Sequence, residues 1–155
     1  MLLLVLATVL GCSRQSSSTV PVVPPVSAVE PSAIAILRGW DARRASAYAG
    51  GDLVRLRRLY VDGSSAAAAD VRLLRTYLAR GYVVRGMTRQ LFDVRVLIRR
   101  PRLLRLRVTD RLAMAVAVGT GGRTTLPRGS AVTRTLTLRK VAGTWRVSSV
   151  RRVPR

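Results

Sequence analysis

The side chains able to do chemistry in this 155-residue chain are few: one cysteine, seven carboxylates and no histidine. Histidine is the commonest proton-transfer group near neutral pH, so its absence narrows the acid–base options to carboxylates. No serine stands in a Gly-x-Ser-x-Gly context, no phosphate-binding glycine run is present, and no residue cluster has metal-ligand spacing. These features predict no metal, no cofactor and no enzymatic activity. Among the carboxylates, Asp110 shares the alternation phase of Leu106, Val108, Leu112 and Met114, which turns it toward the interior. A buried carboxylate is either paired with a cation or raised in pKa. Arg44 interrupts an apolar helical stripe between Trp40 and Ala47 and places a cation on an element that must face the strand. Three roles are open to Asp110: a buried pair with Arg44 that docks helix on sheet, a polar group in a ligand pocket, or a catalytic base. The pair is the expectation.

Cys12 closes an apolar run that begins at Met1 and ends Val9-Leu10-Gly11-Cys12. A bilayer span needs roughly 20 residues, so this run is too short to cross one. It has the length of a signal-peptide core followed by a processing site. Val9-Leu10-Gly11-Cys12 resembles a bacterial lipobox, in which a small residue precedes a cysteine that is acylated, by palmitate for example, and becomes the new N-terminus. No Lys or Arg follows Met1, which departs from the usual basic start. The expectation is a signal peptide over residues 1–11, lipidation at Cys12, and a protein held at the extracytoplasmic face of the cell membrane. Residues 13–30 are rich in Ser, Pro and Val, with Pro21, Pro24 and Pro25 close together, and read with Cys12 as a tether over 12–30. One domain then occupies residues 31–155, held by packing alone because a lone cysteine forms no internal disulfide.

The net charge is +21, and residues 13–30 contribute one Arg and one Glu, so the excess belongs to the domain. Of 28 basic residues only Lys140 is lysine. Arginine in place of lysine, with abundant Ala, Val and Gly, fits the coding of a GC-rich, actinobacterial genome. Codon bias does not explain the shortage of acids. A surface this basic attracts polyanions. With the address implied by Cys12, anionic lipid or a cell-wall polymer is the expected partner, another envelope protein the next, and nucleic acid is not expected. Arg95, Arg99, Arg105, Arg107 and Arg111 read as a solvated sheet face, and Trp40 and Trp145 as core anchors. Asp93 shares its phase with Leu91, Arg95 and Leu97 and discriminates little.

These residues need elements to position them. Pro31 opens a helix whose stripe is Ile36, Leu37, Trp40, Ala47 and Tyr48, ended by Gly50-Gly51. Asp52 caps a short second helix with Leu53, Leu56, Leu59 and Tyr60. A turn at Asp62–Ser65 leads to a third helix striped by Val71, Leu74, Tyr77 and Leu78, with Gly81 as its stop. The period then changes to two. Tyr82–Val84 and Gln90–Ile98 read as strand with a bend at Arg85-Gly86, and Leu104, Leu106, Val108, Leu112, Met114, Val116 and Val118 as one long alternating strand. Thr120-Gly121-Gly122 is a hairpin turn, and Thr133–Val141 and Trp145–Val153 complete a meander.

The helix order, the run Tyr48-Ala-Gly-Gly-Asp-Leu-Val-Arg-Leu-Arg-Arg-Leu-Tyr60 and the terminal Gly143-Thr-Trp-Arg-Val147 resemble the NTF2-like superfamily, with its SnoaL-like members, over roughly residues 31–153. The resemblance implies an α+β fold: three N-terminal helices packed on a strongly curved antiparallel sheet, forming a cone. It does not deliver one function, since such folds host enzymes, binding modules and oligomerisation domains. The reading is a non-enzymatic cell-envelope lipoprotein that binds a partner protein or an anionic envelope component. The alternative is a carrier or sensor for a small hydrophobic ligand inside the cone, and a SnoaL-like enzyme is the third. A homodimer is compatible with each. An open interior reached by Asp110 favours the second and third readings; a cone filled by side chains, with a continuous arginine surface outside, favours the first.

Overall fold

The computed structural model describes residues 31–154; the expected signal peptide, Cys12 and the tether lie outside the described residues. Three helices come first: α1 (Ala33–Gly50), α2 (Leu53–Arg57) and α3 (Ser65–Ala79). Their starts follow from short polar side chains that satisfy free backbone N–H groups. Ser32 accepts from Ala35 N at 3.1 Å, Asp52 from Arg55 N at 2.8 Å, and Ser64 from Ala67 N at 3.4 Å. Gly51 ends α1 with φ of 65°, and a Cβ there would sit 2.9 Å from Leu78 Cδ2, so this stop also sets how closely α3 approaches.

Five strands follow: β1 (Tyr82–Arg100), β2 (Leu103–Gly119), β3 (Gly122–Thr125), β4 (Val132–Val141) and β5 (Thr144–Arg152). They form one antiparallel sheet ordered β1-β2-β4-β5, with β3 paired to the far end of β2. The chain after α2 is tied to β5 by Val61 N–H to Val147 O and Val147 N–H to Leu59 O, both 2.9 Å. The helices pack on the inner face of this curled, unclosed sheet. Leu37, Tyr48, Leu56 and Leu74 meet Leu104, Leu106, Val108, Leu138 and Val147 in the core. Trp40 is a core anchor: its indole N–H donates to Leu59 O at 3.1 Å, and its ring meets Tyr60 edge-on at 5.6 Å. Among the described residues no helix is long and apolar enough to cross a membrane.

Two details of the strand reading are corrected. The bend expected at Arg85-Gly86 does not split the first strand; β1 runs through it, with Gly86 at φ of 61° inside an irregularity of the pairing. The second concerns phase. Between Arg89↔Leu112 and Thr88↔Met114 the register slips by one residue on β2, a bulge at Ala113. Leu104, Leu106, Val108 and Asp110 face inward, but beyond the bulge Ala115 and Ala117 are the buried residues and Met114 is half exposed. A similar slip between Leu91 and Asp93 turns Asp93 outward, where it accepts from Arg95 at 3.0 Å, out of phase with Leu91. Strict alternation cannot register an inserted residue, because each bulge inverts the faces that follow.

Candidate functional site

Between α1, α3 and the inner face of the sheet lies a cavity of about 420 Å³. This is within the range of small-molecule sites. Its apolar lining comes from Leu37, Trp40, Ala66, Ala69, Leu136 and Val150. Interspersed with these are three aspartates, Asp41, Asp70 and Asp110, and three arginines, Arg44, Arg89 and Arg134. Both residues singled out from the sequence, Asp110 and Arg44, line this cavity, but they do not pair with each other.

Arg44 is paired with Asp70 of α3. Its Nε donates to Asp70 Oδ2 at 2.7 Å while Nη2 donates to Oδ1, a two-pronged fork. The hydroxyls of Tyr48 and Tyr60 donate to the same carboxylate at 2.7 and 2.6 Å. Burial alone would raise the Asp70 pKa; the Arg44 fork and the two hydroxyls outweigh it and hold the carboxyl below its ordinary 3.8. Burial, reinforced by the Asp70 charge, pushes both tyrosines well above their usual range, so they remain donors. The Arg44 guanidinium stays charged.

Asp110, only 3% exposed, belongs to a second cluster. Arg89 Nε of β1 donates to its Oδ2 at 2.6 Å, and Arg134 Nη2 of β4 reaches both oxygens. The register explains this. Asp110 lies opposite Leu91 on β1 and Val132 on β4, so residues two further along, Arg89 and Arg134, are its diagonal neighbours on the inner face. Burial again acts to raise this carboxyl, and the two guanidinium groups hold it below 3.8.

Asp41 differs from both. It lines the cavity beside Arg44, Arg89, Asp110 and Arg134, and no hydrogen bond to its carboxyl is found among the described residues. Burial raises its pKa, and the attraction of Arg89 and Arg44 does not fully offset that rise. A carboxyl raised in the folded state adds stability that is complete below its ordinary pKa and lost as pH rises through the folded value. Asp41→Asn is therefore expected to stabilise the domain near neutral pH and to have no effect in acid below the ordinary carboxylate pKa. Urea midpoints measured across that range check it, and a gain that persists unchanged in acid would rule it out.

Sequence reasoning missed Asp41, Asp70, Arg89 and Arg134, although two of them left a signal. Asp70 precedes Leu74 by four residues and Tyr77 by seven, and Asp41 follows Leu37 by four, so both sit on the apolar stripes of their helices. Arg89 and Arg134 carry no comparable mark, since arginine is everywhere in this chain.

No family model matches the sequence, and no curated protein matches it. Solved structures do. Aln2 from a Streptomyces species superposes with a TM-score of 0.53 at 17% identity, over 79% of this chain and 93% of that one. A protein of unknown function from Mycobacterium tuberculosis superposes with a TM-score of 0.50 at 14% identity, over 77% of this chain and 70% of that one. The shared fold is three helices on a curled antiparallel sheet. An NTF2-like family protein from Streptomyces avermitilis is similar at a TM-score of 0.47 and 16% identity, over 79% and 95%. At these identities the likeness concerns the fold alone. The hollow here is not filled by side chains, and Asp41 and the Asp110 cluster line it, with the Asp70 network beside them.

Proposed function

We propose that this chain is a membrane-tethered binding protein whose NTF2-like hollow holds one compact organic molecule, as a carrier or sensor. The observation that supports it is the open cavity of about 420 Å³ lined by both apolar and charged side chains. An apolar body fits against Trp40, Leu136 and Val150, and a polar head against Asp41, Arg89 and Arg134. Asp70 and Asp110 are already saturated by arginine and tyrosine donors, so they build the wall and do not compete for the head. The Arg89 and Arg134 guanidinium groups beside Asp41 suit a head that accepts hydrogen bonds. The lipobox-like Val9-Leu10-Gly11-Cys12 supports a tether that keeps this domain at the outer membrane face. Native mass spectrometry of the full protein from its own membrane is expected to report an acylated species that retains a small organic molecule. A protein that carries no adduct, and whose Trp40 fluorescence does not respond to organic acids, would count against the ligand reading.

A second reading is favoured by one group. Asp41, raised in pKa and lining the hollow, has the properties of an acid–base residue acting on the bound molecule. Retained binding with lost turnover in Asp41→Asn would select this reading over the carrier.

A further inference from the structure

The fold sorts the charges. Three of the seven acidic residues line the inner cavity, where three arginines balance them, so the +21 excess is carried elsewhere. The outer face of the sheet collects much of it. The register aligns Arg95, Arg107, Thr135 and Arg151 in one row across β1, β2, β4 and β5. The next row is Ile98, Arg105, Thr137 and Ser149. With neighbouring strands about 4.8 Å apart, the exposed Arg95, Arg105, Arg107 and Arg151 lie close together on this face, with Ile98 and the buried Thr137 among them. The carboxylate on these rows' flank, Asp93, already accepts from Arg95 at 3.0 Å.

Beside Arg107 the face deepens into a groove of about 830 Å³ at the start of β4, lined by Arg107, Thr109, Ser130, Thr133 and Arg152. No carboxylate lines it among the described residues. The Thr109 and Thr133 hydroxyls bond each other at 2.9 Å, and in such a pair one hydrogen is left to point outward. Arginine forks and hydroxyls are the donors that suit phosphate oxygens. Next to this face, the edge strand and its neighbour expose Phe92, Leu97 and Met114.

We propose that the outer sheet face is a docking surface for an anionic phospholipid membrane, with the groove at Arg107 as the seat for a headgroup phosphate. Charge complementarity selects an anionic occupant and disfavours a second copy of this basic chain, whose like charges would repel it. The exposed apolar side chains suit the acyl boundary. Single-stranded nucleic acid is held chiefly by stacking on open aromatic platforms. Here the two rows carry threonine, serine and isoleucine between the arginines and no aromatic side chain.

The test uses the full chain on two vesicle types, phosphatidylcholine alone and phosphatidylcholine mixed with phosphatidylglycerol. Any anchor contributes equally to both, so the difference between them reads the charged face. Replacing Arg105, Arg107, Arg151 and Arg152 with Gln is expected to lower the anionic increment about 100-fold or more. The same loss of charge at Arg38, Arg43, Arg58 and Arg80, which are exposed on or beside the helices, is expected to lower it far less. Equal losses in the two variants, or no anionic increment at all, would overturn the proposal. Tighter binding of a single-stranded oligonucleotide than of anionic vesicles, lost in the sheet variant, would replace the lipid with nucleic acid. Phenylglyoxal footprinting of the unaltered protein needs no variant to fold. Anionic vesicles are expected to protect Arg105, Arg107, Arg151 and Arg152 from modification, and protection of the helix arginines in their place would refute the assignment.

Discussion

Asp70→Ala is expected to destabilise the domain by about 3–5 kcal/mol, the usual cost of removing one partner of a buried ion pair. The Arg44 guanidinium would be left charged and desolvated, and the Tyr48 and Tyr60 hydroxyls would lose their acceptor. Arg44→Ala is expected to cost a similar amount, because Asp70 would then depend on the tyrosines alone. The double variant should lose much less than the sum, since neither charge remains. Urea unfolding at neutral pH measures all three. The effect has a defined pH window. Asp70 is held below 3.8, so its contribution is present above the ordinary carboxylate pKa and fades as pH falls through the lower folded value. The penalty of Asp70→Ala should shrink in strong acid. A penalty below about 1 kcal/mol at neutral pH would show that the fork is a solvated surface pair.

Asp110→Ala is the second large effect, and its coupling pattern differs. Two guanidinium groups, Arg89 and Arg134, would face each other across the sheet with no carboxylate between them. A loss of about 3–5 kcal/mol is again expected. Combined with Arg134→Ala, Asp110→Ala should lose less than the sum. Combined with Arg44→Ala, it should be close to additive, because the two residues have separate partners. Strong coupling between Asp110 and Arg44 would contradict the geometry. Asp110 is also held below its ordinary pKa, so this penalty follows the same course with pH as that of Asp70.

The path from sequence to site was uneven, and particular residues show why. The inward turn of Asp110 was legible because alternation from Leu104 to Asp110 is unbroken, and β2 is regular over that stretch. The outward turn of Met114 was not, because a single extra residue at Ala113 inverts everything after it and leaves no mark in a run of Ala, Met and Val. Arg44 was legible as an inward cation because it breaks an apolar stripe. Its partner was not, since Asp70 comes from a helix 26 residues further along that crosses the same hollow.

Composition, capping residues and hydrophobic period by themselves determined the starts of the second and third helices (the first begins at Ala33, capped by Ser32, and not at Pro31), the succession of three helices and antiparallel strands, the burial of Asp110 and the excess of positive charge. These properties are local or additive: a serine can cap the next turn, and alternation selects a face, whatever the rest of the chain does. The tertiary structure alone decided which charge meets which. β2 is flanked by β1 and β4, and an aspartate on its inner face pairs with whatever the register brings to its diagonal positions. Register depends on bulges and on the packing of α1 and α3 in the hollow, so the choice of Arg89 and Arg134 over Arg44 emerges only when all of these are in place. The cavity has the same origin, because it is the space those elements leave between them.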